Sequence, residues 1–465
     1  YHDKQYLFCD VAVVGAGPAG LSAALKAADA GASVLLIDEQ PELGGSLTYH
    51  RFAIDSDAVR SEAEALIGDV VSHPRIKVLT HALCNGWFTD HYLPVIQGDR
   101  LFKVRGKSCV LATGSSEQHV VFRNNDLPGV VLCSALERLI NHYAVAPPGK
   151  LVVLAGNDQA WMAALTAADA GLSVAAVVDL RDAPDDKALL AEANARGMTV
   201  HMGAAVYTAR RDSGNQSLCG VDIHRIDAQG EVGELLAQTD CTVLAMSAGF
   251  MPAYQMACQA GAKLDYDDDR AAFTLSGLPE GLFLAGSVHS IHSLHAVLAD
   301  GRNAARAALR CIGMTAEEDE PVACEAQVNH PWPIFPHPEG REFVDFDEDL
   351  QIKDIVNATR LGYRDVQLVK RYSTVGMGPS QGRHSALPTA RLVAQATART
   401  VSDTGVTTAR PPVKPEALGH IAGRRFHPHR RTAIADRHDA AGAQWMPAGL
   451  WGRPAFYGEP DDKLR

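Results

Sequence analysis

Asp10-Val-Ala-Val-Val-Gly15-Ala-Gly17-Pro-Ala-Gly20 is the stretch that decides the fold of this 465-residue chain. An Ala-rich segment follows it, and then a second apolar run, residues 33–37, that ends in acidic residues. The pattern predicts a strand, a glycine turn, a helix and a second strand, which is the context that a dinucleotide-binding fingerprint requires. Gly15 then permits the tight turn, Gly17 lets the backbone approach a pyrophosphate, and Gly20 lets the helix lie close to the strand.

Asp38 ends the second predicted strand. A carboxylate at this position can accept hydrogen bonds from both hydroxyls of an adenine ribose, and it repels a 2′-phosphate. The pyrophosphate would lie at the helix N-terminus, where free N–H groups and the helix dipole favour anions. We therefore predict a bound NAD or FAD rather than NADP, held along the turn Gly15, Ala16, Gly17, Pro18, Ala19 and Gly20.

Composition narrows the class of protein. Hydrophobic residues make up 46% and charged residues 21% of the chain, which is ordinary for a globular protein. A formal net charge of −12 argues against nucleic acid as a partner. The sequence has no apolar run of membrane-spanning length, and its nine scattered cysteines contain no C-x-x-C pair. These features predict a cytoplasmic protein in a reducing compartment, with no membrane partner.

A second strand–helix–strand pattern begins near residue 150 and ends at Asp179. Its turn places Ala155, Asn157 and Ala160 at the three glycine positions of the fingerprint. A Cβ atom at each position obstructs the tight turn and the approach of a pyrophosphate. We therefore predict a nucleotide-binding scaffold that has lost its nucleotide.

The chain returns to a first-domain pattern late in the sequence. Gly281-Leu-Phe-Leu-Ala-Gly286-Ser287-Val288 predicts a strand, and residues 293–312 predict a helix. A strand and helix that rejoin the first domain in this way indicate an α/β fold with two dinucleotide-binding domains, Rossmann-like and of the disulfide-reductase type. A small helical domain is predicted to follow.

The predicted domains follow from these patterns. They are a discontinuous dinucleotide-binding domain (1–145 and 280–315), a degenerate second one (146–279), a linker (316–342), a small helical domain (343–400) and a final polar segment (401–465).

Several motifs in fixed order carry a resemblance to a known family. They are Asp38-Glu39-Gln40, Gly44-Gly45-Ser46, Phe122 to Gly129, Lys370 to Gly378 and Gly442 to Pro454. Together they resemble the alpha subunit of heterotetrameric sarcosine oxidase and its relatives among the multi-subunit N-methyl amino acid oxidases. The last motif resembles the opening of that family's folate-binding aminomethyltransferase domain. The resemblance therefore implies a fragment that lacks a small N-terminal domain and most of the folate-binding domain.

The resemblance also implies a division of labour. In that family the alpha subunit holds NAD, a beta subunit holds FAD and oxidises the amine, and FMN lies between the two. Small subunits complete the hetero-oligomer, which demethylates sarcosine oxidatively to glycine, hydrogen peroxide and formaldehyde or methylenetetrahydrofolate. We find no convincing acid–base pair or nucleophile in the sequence, so catalytic residues are expected on another chain and this chain alone is expected to be inactive.

The cofactor-binding residues implied by the resemblance fall on both sides of the turn. Asp38, Glu39, Gln40 and Ser46 would contact the adenosine half, and Val288, Ser293 and His295 the far side. Ser287 stands where FAD-binding members usually carry aspartate, which favours NAD over FAD. Further candidates are Gly45, Cys84, Thr113, Gly114 and Gly286, although Cys84 also fits a buried core thiol and the Thr113–Gly114 pair a plain turn.

The segment from residue 343 to residue 385 resembles the small iron–sulfur domain of related dehydrogenases. Asp345 and Asp347 stand at its first pair of cysteine positions, and Ser380 and Ser385 at its second. Carboxylate and hydroxyl oxygens do not replace four thiolates around such a cluster. We predict no iron–sulfur cluster here, and no metal site at His289, His292 and His295, which are expected to lie in a loop beside the cofactor.

Two alternatives stay open on the sequence. One is a self-sufficient FAD-dependent pyridine-nucleotide oxidoreductase, or part of an amino acid or opine dehydrogenase. The other is a non-catalytic scaffold whose nucleotide is structural.

Overall fold

The computed structural model describes residues 3–52, 57–214, 216–227, 229–322, 328–408, 410–422 and 429–459. Contacts divide the chain into two compact units, Tyr1–Glu416 and Ala417–Arg465. None of the helices in the described part of the chain combines the length and the apolar character needed to cross a bilayer.

The strands of the first unit are, in chain order, β1 (Asp3–Val14), β2 (Val34–Ile37), β3 (Ile76–Leu79), β4 (Ala82–Cys84), β5 (Tyr92–Gln97), β6 (Arg100–Leu111), β7 (Ser115–Gln118), β8 (Val130–Leu132), β9 (Lys150–Ala155), β10 (Ser173–Asp179), β11 (Thr199–Met202), β12 (Ala204–Arg211), β13 (Leu218–Ile226), β14 (Val232–Thr239), β15 (Val243–Ser247), β16 (Gly249–Pro252), β17 (Lys263–Asp267), β18 (Ala272–Ser276), β19 (Leu282–Leu284), β20 (Phe343–Asp345) and β21 (Leu350–Gln351). Its helices are α1 (Pro18–Asp29), α2 (Asp57–Ser72), α3 (Cys133–Glu137), α4 (Asp158–Asp169), α5 (Lys187–Ala195), α6 (Gln255–Gln259), α7 (Leu294–Cys311), α8 (Ile352–Arg360), α9 (Val366–Ser373), α10 (Ala386–Thr397) and α11 (Val401–Thr404).

The first sheet has the order β3-β2-β1-β6-β5-β4, with β19 also paired to β6. β2 and β6 both run parallel to β1, and β19 runs parallel to β6. In these pairs Val14 of β1 is aligned with Ile37 and with Leu111, and Leu111 is aligned with Leu284. The carboxyl ends of these four strands therefore lie along one edge of the sheet. This edge is where ligands bind in open α/β sheets.

Helix α7 covers the first sheet beside α1. The two helices approach closely because α1 is rich in alanine and because Gly301 of α7 lies against the backbone of Ala19, where a Cβ atom would come within 2.3 Å of the carbonyl oxygen. The strand β19 and the helix α7 thus both lie on the first sheet.

The second sheet, β11-β10-β9-β15-β8, is parallel throughout. Helix α4 packs on it through buried alanines and Trp161. The predicted fold class is confirmed: two Rossmann-like units in one chain, followed by a helical segment, α8 to α10, whose core includes Ile355, Val369 and Val393.

The described parts of the predicted linker, 316–342, are packed onto the first unit. Glu317 pairs with Lys26 at 2.7 Å, and Ile334 and Phe335 are both fully buried at 0% exposure. The segment therefore contributes to the core instead of spanning between domains.

The contacts divide the chain after Glu416, whereas the sequence predicted a boundary at residue 400. Residues 401–416 accordingly belong to the first unit. The second unit contains α12 (Leu418–Ile421), α13 (Ala435–Ala440) and a hairpin of β22 (Ala443–Ala448) and β23 (Trp451–Tyr457).

Candidate functional site

The turn between β1 and α1 has the geometry that the fingerprint predicts. Gly15 adopts φ +101°, and a Cβ atom there would lie 2.2 Å from the carbonyl oxygen of Ala112. A Cβ atom on Gly20 would lie 1.8 Å from the carbonyl oxygen of Gly15. By contrast, a Cβ atom on Gly17 would meet nothing within 4 Å. The first and third glycines are thus required by the fold, and the second leaves open space at the helix N-terminus, where a pyrophosphate fits.

Asp38 follows β2 at the same edge of the sheet. Its Oδ2 accepts a hydrogen bond from the Ala16 N–H at 2.5 Å, and its Oδ1 accepts one from the Gln40 N–H at 2.7 Å. Burial raises the pKa of the Asp38 carboxyl, an effect that these two N–H donors and the charge of Lys414 oppose. Each carboxylate oxygen retains acceptor capacity, so Asp38 can also accept hydrogen bonds from ribose hydroxyls.

A cavity of about 1250 Å³ opens at this edge. Most of the predicted cofactor residues line it: Gly15, Gly17, Pro18, Ala19, Asp38, Glu39, Gln40, Gly45, Ser46, Cys84, Thr113, Gly114, Gly286, Ser287 and Ser293. Cys84 is also buried, and burial raises the pKa of its thiol to about 12, so this cysteine is both a cavity-wall residue and an unreactive core thiol.

Four of the predicted residues lie elsewhere. Ala16 is buried and contributes its N–H to Asp38, and Gly20 packs against the turn. Val288 is 1% exposed and belongs to the core beneath the first sheet. His295 is exposed on the first turn of α7. His292, three residues earlier in the chain, lines the cavity instead.

The cavity wall also carries two polar residues that the sequence did not indicate, His50 and Glu117. The His50 Nδ1 lies 2.6 Å from Oε2 of the buried Glu137, and Glu117 accepts a hydrogen bond from the Ser134 N–H at 2.8 Å. Among the described residues, Oε1 of Glu117 has no hydrogen-bond partner. These pairs join positions 87 and 17 residues apart, outside any motif, so spacing alone gave no signal.

Burial and neighbouring charges shift the pKa values of His50 and Glu117. Burial lowers the pKa of His50, but the charges of Glu137 and Glu117 and the hydrogen bond to Glu137 outweigh it, so the net pKa is raised. Burial raises the pKa of the Glu117 carboxyl, and the hydrogen bond that it accepts from Ser134 opposes this effect. His50 and Glu117 both line the cavity, so each can exchange a proton with a ligand there.

The second nucleotide-binding unit has side chains where the first has open space. Asn157 caps α4 by accepting a hydrogen bond from the Ala160 N–H at 3.1 Å. Asp179, in the position that corresponds to Asp38, accepts hydrogen bonds from Trp161 Nε1 at 2.7 Å and from Arg181 Nη2 at 2.9 Å. These contacts support the prediction that this scaffold has lost its nucleotide.

The four positions of the predicted degenerate iron–sulfur site come together around Asp345. Its Oδ2 accepts a hydrogen bond from the Ser385 hydroxyl at 2.8 Å, and Oδ2 of Asp347 accepts one from the Ser380 N–H at 2.8 Å. In the described part of the chain, Asp345, Asp347 and His384 offer ligand atoms within 4.8 Å of one another. Both oxygens of Asp345 also accept hydrogen bonds from backbone N–H groups. The lone pairs of this carboxylate are therefore used within the protein, which disfavours a cation there.

Comparison with known proteins supports both parts of the architecture. Residues 9–310 match the family described as Pyridine nucleotide-disulphide oxidoreductase, and residues 339–424 match the Sarcosine oxidase A3 domain. The alpha subunit of sarcosine oxidase from Rhizobium meliloti (strain 1021) is 32% identical over 481 residues, covering 98% of this chain and 47% of the relative. The chain thus spans about half the length of that relative.

Two further similarities bear on the fold. An opine oxidase component of Rhizobium meliloti (strain 1021) is 24% identical over 454 residues, covering 89% of this chain and 98% of the relative. The crystal structure of L-proline dehydrogenase from P. horikoshii superimposes with a TM-score of 0.67 at 24% identity, covering 91% of this chain and 81% of that one. From the glycine turn, the paired sheets and these matches, we conclude that the chain belongs to the pyridine nucleotide-disulphide oxidoreductase family and is a homologue of sarcosine oxidase alpha subunits.

Proposed function

We propose that this chain holds NAD in the cavity at the edge of its first sheet and acts as the alpha-type subunit of a sarcosine-oxidase-like complex. The observation that carries the proposal is the pairing of an open helix N-terminus at Gly17 with a carboxylate, Asp38, at the end of the neighbouring strand. The first takes a pyrophosphate and the second an adenine ribose. A bound nicotinamide ring would supply a hydride acceptor.

Ser287 favours NAD over FAD as the occupant. It lines the cavity where flavin-binding members of the fold usually carry an aspartate. The nearest buried acid of α7, Asp300, is committed elsewhere: its Oδ2 accepts the Gly286 N–H at 2.8 Å, and it pairs with His289 at 3.1 Å. Asp300 therefore does not replace the missing carboxylate at the cavity wall.

The chemistry of the whole complex is proposed to lie mostly on other chains. A beta-type flavin subunit would oxidise the amine of sarcosine, FMN would bind at the interface, and small subunits would complete the hetero-oligomer. A cytoplasmic location belongs to the same proposal. The residues that line the cavity bind and orient the dinucleotide, and His50 and Glu117 are the lining groups that can hold a proton beside it.

Identification of the nucleotide released on denaturation tests the proposal. We expect about one NAD for each chain and no flavin absorbance in the purified full-length protein, and peroxide formation from sarcosine only once a beta-type partner is added. The Asp38→Ala variant is the matched control and is expected to lose the nucleotide. A yellow protein that releases FAD, or one that consumes NADH with a simple electron acceptor, would favour the self-sufficient flavoprotein instead.

A further inference from the structure

Residues 411–416 form a strap that runs along the adenosine end of the cavity. The buried side chain of Asn85 binds the strap through both backbone groups of Lys414. Its Oδ1 accepts a hydrogen bond from the Lys414 N–H at 2.8 Å, and its Nδ2 donates one to the Lys414 carbonyl at 3.0 Å. The Val413 N–H also donates to the Asn85 carbonyl at 3.2 Å. Asn85 is 2% exposed, so the strap is fixed to the body of the first unit.

The strap brings a cation to the cavity wall. Val413 and Lys414 line the cavity beside Glu39 and Cys84. The Lys414 ammonium forms an ion pair with Glu39, the residue directly after Asp38. Its charge also reaches Asp38, where it opposes the effect of burial on the pKa of that carboxyl.

The position of Lys414 bears on whether the cavity accepts a nucleotide with a 2′-phosphate. A dinucleotide with a 2′-phosphate would carry two extra negative charges beside Asp38 and Glu39, where a cation would have to neutralise them. At this end of the described cavity wall, Lys414 is such a cation. The ammonium group of Lys414 is already paired with Glu39, so it is not available to bind a phosphate.

We propose that the Glu39–Lys414 pair acts beside Asp38 as a second determinant of specificity: it disfavours adenine dinucleotides with a 2′-phosphate because Glu39 holds the ammonium group of Lys414, and it still admits those with free ribose hydroxyls. The inference rests on the proposed function, since it requires an adenine dinucleotide at Asp38. It adds a residue from a strap 375 positions along the chain to the determinants of specificity.

Binding of NAD⁺ and NADP⁺ to the nucleotide-stripped full chain, measured by titration calorimetry, tests this inference. In Glu39→Gln the ammonium is released, and we expect NADP⁺ to bind roughly tenfold more tightly, as one charge-assisted contact with a phosphate allows, so that the ratio of NADP⁺ affinity to NAD⁺ affinity rises. The double variant Glu39→Gln with Lys414→Met is the matched control and should lose the gain. Both side chains are partly exposed, so we expect near-UV circular dichroism to show folded variants.

Each outcome separates the two proposals. If wild-type protein fails to bind NAD⁺, the proposed function is overturned, and this inference with it. If NAD⁺ binds normally but NADP⁺ affinity does not rise in Glu39→Gln, the inference alone is overturned. It is also overturned if the double variant keeps the gain, because removal of a negative charge would then explain the effect without Lys414.

Discussion

The two nucleotide-binding units of this chain have the same strand–helix–strand order and differ at the start of the helix. In the first unit the N-cap of α1 is Gly17, which makes no side-chain hydrogen bond to the helix. In the second unit the N-cap of α4 is Asn157, whose side chain accepts the Ala160 N–H and donates to the Ser247 hydroxyl at 3.0 Å. A helix N-terminus exposes unpaired N–H groups, which either a ligand or a cap can satisfy. In the first unit the N–H groups of α1 are open to a ligand, whereas in the second unit Asn157 caps α4.

The acids at the ends of the second strands differ in the same way. Asp38 accepts two backbone N–H groups and faces the cavity. Asp179 is 0% exposed and accepts hydrogen bonds from Trp161 and Arg181. In the second unit, internal side chains thus make hydrogen bonds at the positions where the first unit leaves Asp38 and the helix N-terminus open to the cavity.

The largest effect is expected from Gly15→Ala in the first unit. The φ of +101° and the carbonyl oxygen 2.2 Å from the added Cβ atom leave no room without moving the turn, so we expect the free energy of unfolding to fall by about 3 kcal/mol or more. Denaturant unfolding of the full chain measures this. The matched control is Ala155→Gly at the corresponding position of the second unit, where a loss of only about 1 kcal/mol is expected. Equal losses in the two variants would show that the turns do not differ as described.

The local parts of the site were predictable from the sequence. The turn from Gly15 to Gly20 and the acid at Asp38 lie within one strand–helix–strand unit, where glycine spacing and hydrophobic pattern fix the geometry. The pairs His50–Glu137 and Glu39–Lys414 are 87 and 375 residues apart. Neither has a periodicity or a motif, because such contacts depend on how whole elements pack.

The far side of the site shows a subtler limit. The sequence predicted a strand and then a helix here, but β19 ends at Leu284 instead of Val288, and residues Gly286–His289 form a short 3-10 turn that is followed by Ser290 at φ +62°. This reversal turns Ser287 toward the cavity and Val288 into the core. The order of the elements was therefore easier to predict than the end of the strand or the direction of single side chains in the loop.

A smaller effect is expected from Trp161→Phe in the second unit. The variant removes the indole N–H that Asp179 accepts, while Arg181 stays bonded to the same carboxylate. We expect the free energy of unfolding to fall by about 2 kcal/mol, the cost of leaving a buried acceptor short of a donor. The number of nucleotides bound for each chain, measured after denaturation, should stay the same. A second bound nucleotide would contradict the prediction that this unit has lost its nucleotide.

Gly17→Ala should separate binding from folding in the first unit. Because an added Cβ atom meets nothing within 4 Å, the stability of the nucleotide-free chain should change by less than about 0.5 kcal/mol. The same Cβ atom would project toward the pyrophosphate, and we expect roughly a tenfold loss of NAD⁺ affinity, or about 1.4 kcal/mol. Calorimetric titration together with thermal unfolding of the stripped protein distinguishes the two effects. Unchanged affinity would mean that the ligand does not cross this turn.

The smallest effect is a pH dependence that only the first unit should show. The pKa of Asp38 is raised by burial, so on acidification this carboxyl takes up a proton at a higher pH than an exposed aspartate does. Protonation removes acceptor capacity for the ribose hydroxyls, and NAD⁺ affinity should therefore fall as the pH falls through that raised pKa, by at most about tenfold for each pH unit. Asp38→Asn should bind more weakly at neutral pH but with a flatter profile over the same range. If the profile of Asp38→Asn matched that of the wild type, the titrating group would not be Asp38, and His50, which also lines the cavity and whose pKa is also raised, would be the next candidate.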